Sequence, residues 1–376
     1  MSKRFTVSGI ASARTAKRRE VTSIKGRKCM KRVVLILALA LLGISCAGSE
    51  RTQAAAPPAD QILINGAGAT FPYPIYSKWF NEYHRKFPQI QINYQSIGTG
   101  GGIRQVIEGT VDFGATDGPM TDEQLKQAKT KILHFPTALG AVVPAYNVPG
   151  VTQEINFTPE ALAGIFLGKI TKWSDPEFKK ANAGVNLPDK NIVVIHRSDG
   201  SGTTYVWVDY LSKVSPEWKS KVGVNTSVNW PVGLGGKGNE GVAGLIKQTP
   251  NSMGYVELIY AIQNKMLYGK VRNSAGTPVK ADLASVTAAA AGAIKTMPAD
   301  FRVSITNAAG QDAYPISSFT WLLIPSKFQD QAKKKVIKEF LQWMLADGQN
   351  MVEALSYAKL PKEVVAMEQK AIAAIE

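Results

Sequence analysis

Short strand-like segments alternate with helix-like segments along the chain from Gln61 onward. "QILING" (61–66) predicts a strand, and the apolar residues from Ile75 to Tyr83 then recur at helical spacing. "QIQINYQ" (89–95) alternates apolar and polar residues, which predicts a second strand. Strands that alternate with helices form α/β layers with mainly parallel sheets. Because one sheet seldom absorbs so many units, the pattern predicts an α/β protein with two compact lobes.

The same alternation continues towards the C-terminus. "NIVVIHR" (191–197) and "SFTWLLIP" (318–325) predict further strands. "QAKKKVIKEFLQWMLADG" (331–348) predicts an amphipathic helix that is closed by Gly348. The α/β pattern therefore extends over most of the chain.

The front of the chain has the pattern of a targeting segment. Lys31 and Arg32 precede an apolar run from Val33 that is too short to span a membrane comfortably as a helix. Small residues follow, and then "AAAPPAD", which is typical of a flexible connection. We therefore interpret residues 1–46 as an export signal region and residues 47–60 as a linker.

Both cysteines of the chain, Cys29 and Cys46, lie in this front segment. The remaining residues therefore contain neither a disulfide nor a catalytic thiolate. "LLGISC" approximates the lipid-attachment motif of exported lipoproteins, but Gly43 stands where Leu, Val or Ile is usual. A lipid on Cys46 and an unmodified signal-peptide cysteine are both open at this point.

The positive charge of the chain is concentrated in the same segment. The whole sequence carries +15, but residues 1–46 hold eleven basic residues and one acidic residue, which leaves +5 for residues 47–376. The basic residues of this larger part are scattered rather than clustered. The charge pattern therefore argues against a nucleic-acid-binding protein.

Three glycine-rich turns share one layout, in which a predicted strand ends and a helix begins. They are "GAGATFPYP" (66–74), "IGTGGGI" (97–103) and "DGSGTT" (199–204). Glycines let the backbone approach closely, and helix N-termini present unpaired N–H groups with partial positive charge. Any one such turn alone is usually an ordinary helix cap. Three of them together predict an anion-binding cradle, to which Arg197 would add a bidentate donor held by Asp199.

Asp117, in "FGATDGP", is the residue that does not suit a simple anion cradle. Its ordinary interpretation is a solvated turn aspartate. If the carboxylate instead points into the cradle, it repels a fully ionised anion and accepts a hydrogen bond only from an anion that keeps a proton. Phosphate near neutral pH keeps one, whereas sulfate does not.

Enzyme motifs are weak in this sequence. "GLGGKG" (233–238) formally fits the dinucleotide pattern but follows a poor strand, so we interpret it as a structural loop. Ser201 is not in a nucleophile elbow, because Asp199 occupies the first glycine position. The three histidines have no short metal-ligand spacing and are expected to be surface or packing residues: His84, His134 and His196.

Taken together, several motifs resemble the periplasmic phosphate-binding proteins of the high-affinity ABC phosphate importer, the PstS family. The motifs are "GAGATFP", "NYQSIGTGGG", "TVDFGATDGPM", "FLGKITKWSDP", "RSDGSGTTY", "WPVGLGGKGNEGV" and "GYVE". The resemblance implies a two-lobed periplasmic binding protein of type II, with a hinge of two crossover segments. Residues 61–145 plus 316–376 would form lobe I, and residues 146–315 lobe II.

The resemblance also implies which residues bind phosphate. Thr99 stands where the family commonly has serine, so the hydroxyl is kept and a methyl group is added. Asp117 matches the aspartate that accepts the phosphate proton, and Asp199 matches the aspartate that supports the binding arginine. The implied phosphate-binding residues are Ala69, Thr70, Phe71, Thr99, Asp117, Arg197, Ser201, Gly202 and Thr203.

The function implied by the resemblance is that of a periplasmic receptor. It would bind inorganic phosphate and deliver it to the permease subunits of an ABC importer and their ATPase, with no cofactor, metal or catalysis. One alternative is a receptor for another oxyanion such as sulfate or molybdate, against which Asp117 argues. The other is an exported phosphatase that uses Ser201, which lacks a recognisable neighbouring base.

Met30 directly precedes the Lys31–Arg32 pair. We therefore expect translation to start at Met30 and residues 1–29 not to be translated. A gene that encodes residues 30–376 should yield as much exported protein as the full reading frame, measured by cell fractionation and immunoblotting. Loss of export when residues 1–29 are removed would contradict this start site.

Overall fold

The computed structural model describes residues 61–376, and strands alternate with helices there as predicted. The strands are β1 (Ile62–Gly68), β2 (Ile90–Ser96), β3 (Phe113–Thr116), β4 (Ile132–Asn147), β5 (Asn156–Phe157), β6 (Val193–Arg197), β7 (Leu234–Gly236), β8 (Ser252–Glu257), β9 (Leu267–Tyr268), β10 (Lys270–Arg272), β11 (Pro278–Val279) and β12 (Ser317–Pro325).

Helices lie between most of these strands. They are α1 (Tyr73–Lys86), α2 (Thr99–Glu108), α3 (Asp122–Gln127), α4 (Pro159–Phe166), α5 (Pro176–Ala181), α6 (Gly202–Val214), α7 (Pro216–Lys221), α8 (Gly238–Gln248), α9 (Leu258–Gln263), α10 (Leu283–Ile294), α11 (Gln331–Leu345) and α12 (Lys362–Ala371). Short 3-10 helices occur at Gly348–Met351, Glu353–Leu355 and Ile372–Ala374.

One large sheet runs through the described part of the chain, in the order β2-β1-β3-β12-β4-β8-β6-β7, with β9 beside β4. The parallel pairs join β1 to β2 and β3, and β6 to β7 and β8. The antiparallel pairs in this sheet all involve β4 or β12. The predicted α/β architecture is confirmed.

Strand β4 changes its partner part-way along its length. Residues 132–141 pair with β12, whereas residues 142–147 pair with β8. Where β4 changes partner, the Val142 N–H donates to the carbonyl of Ile316 at 2.9 Å. Strand β4 and the segment just before β12 therefore lie next to each other at this point. We call residues 61–141 and 317–376 the first half, and residues 142–316 the second half.

The glycine-rich turns hold the starts of helices, as predicted. Helices α1, α2, α6 and α8 each begin within a few residues of the carboxyl end of a parallel strand: β1, β2, β6 and β7 respectively. In open α/β sheets, ligands bind outside the carboxyl ends of the strands. The fold therefore places helix N-termini from both halves at a position where such sheets bind ligands.

Aromatic side chains anchor α1 to the core of the first half. Tyr76, Trp79 and Tyr83 are buried at helical spacing on one face of α1. The ring of Tyr83 meets Phe340 of α11 edge-on, with 5.2 Å between ring centroids. This packing fixes α1, and with it the turn between β1 and α1.

The predicted end of the last long helix was wrong. Helix α11 ends at Leu345 rather than at Gly348, which instead begins a 3-10 helix. The carbonyl of Gly348 accepts a hydrogen bond from the indole of Trp79 at 2.9 Å. This residue is therefore held by tertiary structure rather than by a helix cap.

Gly102 in α2 lies against β1, and this contact leads to a stability prediction. A Cβ at Gly102 would lie 2.5 Å from the Cα of Gly68 and 2.6 Å from the carbonyl oxygen of Ala67. Because backbone atoms cannot rotate away, Gly102→Ala should lower the free energy of unfolding by about 1–3 kcal/mol. Gly292 in α10 is the matched control, because a Cβ there would meet nothing within 4 Å.

At that open helical position, Gly292→Ala should raise the free energy of unfolding by about 0.5–1 kcal/mol. Urea unfolding followed by circular dichroism measures both variants. Equal effects of the two substitutions would show that the contact between α2 and β1 is not tight.

Candidate functional site

A buried ion pair between Arg197 and Asp199 lies at the end of β6. Arg197 Nε donates to Asp199 Oδ1 at 2.8 Å, and Nη2 donates to Oδ2 at 2.5 Å. The Arg197 side chain is 1% exposed. Burial acts to raise the pKa of Asp199, but the ion pair with Arg197 and the Gly238 N–H, at 3.1 Å from Oδ1, bring the net pKa below its usual value. Asp199 therefore stays ionised and holds the guanidinium in place.

Thr70 joins the two halves. It is buried between β1 and α1, and its hydroxyl accepts from Arg197 Nη1 at 3.3 Å and from Asn239 Nδ2 at 2.8 Å. Its carbonyl accepts from the hydroxyl of Tyr260 at 2.5 Å. All three donors belong to the second half, so Thr70 is a point at which the second half is held against the first.

Backbone N–H groups at the helix starts lack acceptors among the described residues. Those of Thr70 and Phe71 precede α1, and that of Thr99 begins α2 in the first half. Those of Gly202 and Thr203 begin α6 in the second half. Unpaired N–H groups at a helix N-terminus attract anions through hydrogen bonding and through the helix dipole. The site thus offers donors from both halves.

Glycines allow these turns to approach each other. The Gly100 N–H donates to the Gly200 carbonyl at 2.9 Å across the two halves. A Cβ at Gly202 would lie 2.4 Å from Asp117 Oδ2. Only a residue without a side chain allows the start of α6 to approach Asp117 this closely.

Asp117 is buried, with one carboxylate oxygen bonded and one not. Oδ1 accepts from the hydroxyl of Thr320 at 2.8 Å, whereas Oδ2 has no hydrogen-bond partner among the described residues. Burial raises the pKa of Asp117 to about 7, although the Thr320 hydroxyl and the charge of Arg197 act to lower it. The ordinary interpretation, a solvated turn aspartate, is wrong, because the residue is 1% exposed.

Two other predicted site residues offer fewer donors than their position suggests. Ala69 lies between β1 and α1, but its N–H donates to Ala115 and its carbonyl accepts from Tyr94, so it offers no backbone donor. The Ser201 N–H donates to the Thr226 carbonyl, which leaves the hydroxyl as the donor of Ser201.

The Thr99 hydroxyl is buried and has no hydrogen-bond partner among the described residues. Thr99 begins α2, next to the Gly100 contact between the halves. An unpartnered hydroxyl in a buried position is available to a ligand.

Sequence reasoning missed Asn239 and Tyr260, which hold Thr70 from the second half. It also missed the role of "GLGGKG", which is more than a structural loop. Leu234–Gly236 forms β7, and Gly238 begins α8 and donates its N–H to Asp199. The signal was present, because this segment has the same layout of strand, glycines and helix start as the three recognised turns.

The histidines are surface or packing residues, as predicted. His134 is buried in β4, where its Nε2 accepts from the Met120 N–H at 3.1 Å. His84 on α1 bonds a backbone carbonyl at the start of β2, and His196 stacks on Trp230 with 4.8 Å between ring centroids. Among residues 61–376, no three His, Cys, Asp or Glu side chains come together as a metal-binding group.

Comparison with known proteins identifies the family. The model of a PBP superfamily domain matches residues 51–348. The phosphate-binding protein PstS of Xylella fastidiosa is 45% identical over 324 residues, which cover 86% of this chain and 88% of that protein. The phosphate-binding protein PstS of Pasteurella multocida is 46% identical over 80% of this chain and 87% of its own. This chain belongs to the PstS family.

Solved structures agree with the fold expected of a PstS-family chain. A high-affinity periplasmic phosphate-binding protein (PfluDING) with bound phosphate superposes with a TM-score of 0.66, at 20% identity, over 82% of this chain and 93% of that protein. This similarity confirms the predicted periplasmic binding protein fold. Within residues 61–376, no helix is long and apolar enough to cross a membrane.

The raised pKa of Asp117 makes stability depend on pH in a defined direction. The folded protein keeps this proton up to about pH 7, whereas the unfolded chain releases it near the ordinary pKa of 3.8. Between these values the folded state binds more protons, so the carboxyl group lowers the stability as the pH rises through that window. The Asp117→Asn variant lacks this dependence.

Without phosphate, Asp117→Asn should therefore gain stability relative to the wild type as the pH rises from about 5 to about 8. Urea unfolding of both proteins at a series of pH values measures the difference, because the other titrating groups are common to both. A difference that does not change with pH would show that Asp117 titrates normally.

Proposed function

We propose that this chain is the extracytoplasmic receptor of an ABC importer, where it binds inorganic phosphate and delivers it to the permease subunits and their ATPase. Membership of the PstS family supports this assignment, as do the relatives named phosphate-binding protein. The site supports it independently, because its donors are arranged for a small anion and one buried acceptor lies beside them.

The unpaired oxygen of Asp117 is the observation that carries the proposal. Oδ2 is buried beside the start of α6 and has no donor among residues 61–376. A buried carboxylate oxygen without a hydrogen-bond donor is unfavourable, so the site favours a ligand that can donate a hydrogen bond to it. Hydrogen phosphate supplies that hydrogen and also presents oxygens to the surrounding N–H groups. One anion thereby satisfies both the unpaired acceptor and the unpaired donors.

Each half would contribute donors to the phosphate. From the first half, Thr70 and Phe71 would donate backbone N–H groups, and Thr99 its N–H and hydroxyl. The second half would add backbone N–H groups, a hydroxyl and the guanidinium hydrogens that Asp199 and Thr70 do not use. These donors belong to Gly202 and Thr203, to Ser201 and to Arg197 respectively.

Donors on both sides of the site imply that phosphate stabilises a closed arrangement, in which the two halves lie against each other around the anion. We assign the two halves to the lobes expected at residues 61–145 plus 316–376 and at residues 146–315. The two lobes would move apart about a hinge at the point where β4 lies beside the segment that precedes β12. A ligand that forms hydrogen bonds with both lobes stabilises the closed state relative to the open one.

Two rival functions are less well supported by the same residues. A sulfate or molybdate receptor would place a bare anionic oxygen against Asp117 whenever the carboxyl group is ionised, which is repulsive in a buried site. A phosphatase would need a base beside Ser201, but the Ser201 hydroxyl oxygen accepts from the Thr204 N–H at 3.1 Å as a helix cap. The described residues place no histidine or carboxylate in hydrogen-bond contact with that oxygen.

The proposed location of the receptor is the periplasm, because residues 1–46 have the pattern of an export signal. The signal region, the linker and the lipid-attachment motif at Cys46 lie outside the described residues. The importer would then supply the main contact with the membrane, and a lipid on Cys46 would be a second one.

Calorimetric titration of residues 47–376 with phosphate and with sulfate tests the proposal and the role of Asp117 together. The wild type should bind phosphate and exclude sulfate at about pH 8, where Asp117 is mostly ionised. Asp117→Asn keeps the size of the side chain but offers an amide donor, so it should lower the phosphate-to-sulfate affinity ratio chiefly by admitting sulfate. Phosphate affinity should change little, because the amide pairs with a phosphate oxygen.

Wild-type protein that binds sulfate as tightly as phosphate would overturn the phosphate assignment. An Asn variant that still excludes sulfate would remove Asp117 as the selecting group. The phosphatase alternative is tested on the same sample with a chromogenic phosphate ester, from which a receptor releases no phosphate above background.

A further inference from the structure

Asn239 contacts both halves of the site through one carboxamide. It is fully buried near the start of α8, and its Nδ2 donates to the Thr70 hydroxyl at 2.8 Å and to the Thr203 hydroxyl at 3.1 Å. Thr70 belongs to the first half, and Thr203 to the second. The backbone N–H of Asn239 also donates to the Thr70 hydroxyl, at 3.3 Å.

The orientation of the Asn239 amide is fixed by its other end. Its Oδ1 accepts from the backbone N–H of Glu257 at 3.0 Å. A backbone N–H can only donate, so the oxygen of the carboxamide faces Glu257 and the NH₂ group faces the threonines. The two hydrogens of Nδ2 are thus directed at two hydroxyl oxygens.

This arrangement determines which way the threonine hydroxyls donate. A hydroxyl has one hydrogen and two lone pairs. The Thr70 oxygen accepts from Asn239 Nδ2 at 2.8 Å, and the two longer donors, Arg197 Nη1 and the Asn239 backbone N–H, each at 3.3 Å, share its second lone pair. Because both neighbours are donors, the Thr70 hydrogen has to turn away from them, and the Thr203 hydrogen likewise turns away from Asn239. Both hydroxyls are then free to donate elsewhere.

We propose that Asn239 is a positioning residue that orients the hydroxyls of Thr70 and Thr203 as donors to the bound anion and couples the two halves when they close. The inference rests on the proposed phosphate-binding function. Without the carboxamide, the Thr70 hydroxyl loses its closest donor and keeps only the two at 3.3 Å, and the Thr203 hydroxyl loses the donor that orients it. The Thr203 hydroxyl is then able to rotate and present a lone pair to the anion, which replaces an attraction by a repulsion. Anion binding thus depends on a side chain that acts through two others.

A double-mutant cycle separates this role from a structural one. The four proteins are the wild type, Asn239→Ala, Thr203→Val and the double variant, each titrated with inorganic phosphate at one pH and salt concentration. Each single substitution should weaken phosphate binding about tenfold or more, the range for a hydrogen bond to a charged group. If Asn239 acts through the Thr203 hydroxyl, the double variant should lose clearly less than the product of the two single losses.

Asn182 supplies the matched control. It is also a buried asparagine of the second half, but it bonds only backbone groups, those of Asn156 and Phe178. Asn182→Ala should lower the unfolding midpoint while phosphate affinity stays within about twofold of the wild type. This comparison shows whether loss of any buried asparagine weakens binding through general destabilisation. If Asn239→Ala does not fold, Asn239→Ser takes its place in the cycle.

The outcomes distinguish the inference from the function on which it rests. A wild type that fails to bind phosphate removes the proposed function. A wild type that binds, with the Asn239 variant equal to it in affinity, removes the role of Asn239 alone. Losses that multiply in the double variant would likewise overturn the positioning role, because they would show that Asn239 and the Thr203 hydroxyl act independently.

Discussion

The site depends on the close approach of two glycine backbones where the halves face each other. Gly100 donates to the Gly200 carbonyl at 2.9 Å, and a Cβ at Gly100 would lie only 3.1 Å from the Gly200 Cα. A side chain at either position would push the facing backbones apart by a few tenths of an ångström and loosen the packing around the buried charges. Exclusion of water gives the neighbouring charges and N–H groups their strength, since electrostatic interactions grow as the local dielectric falls.

Burial acts to raise the pKa of both aspartates of the site, but the net pKa moves in opposite directions because their partners differ. Asp199 has the Arg197 guanidinium and the Gly238 N–H, and its pKa lies below the usual value. Asp117 has the Thr320 hydroxyl on one oxygen and no donor among the described residues on the other, and its pKa rises to about 7. The protein satisfies one carboxylate, while the other suits a ligand that carries a proton.

The order of strands and helices and the helix starts at glycine-rich turns could be predicted from the sequence, because both are local patterns of spacing and turn chemistry. The partner change along β4 could not, because it depends on pairing with β12, far along the chain. The burial of Asp117 depends likewise on the start of α6, which reaches it only through tertiary structure. Asn239 was missed because the glycines before it were judged by an enzyme motif rather than by the helix that they begin.

The hydrogen bonds of Thr70 join the two halves without a ligand, whereas the donors of the cradle would join them only through a bound anion. Arg197, Asn239 and Tyr260 bond Thr70 from the second half, so these bonds between protein atoms would favour the proposed closed arrangement without any ligand. A ligand gains affinity when the binding-competent arrangement is already populated, and it shifts the equilibrium only through bonds that the open arrangement lacks. In the proposed receptor, the bonds to Thr70 would thus set how tightly phosphate binds, whereas the donors on both halves and the carboxylate of Asp117 would select the anion.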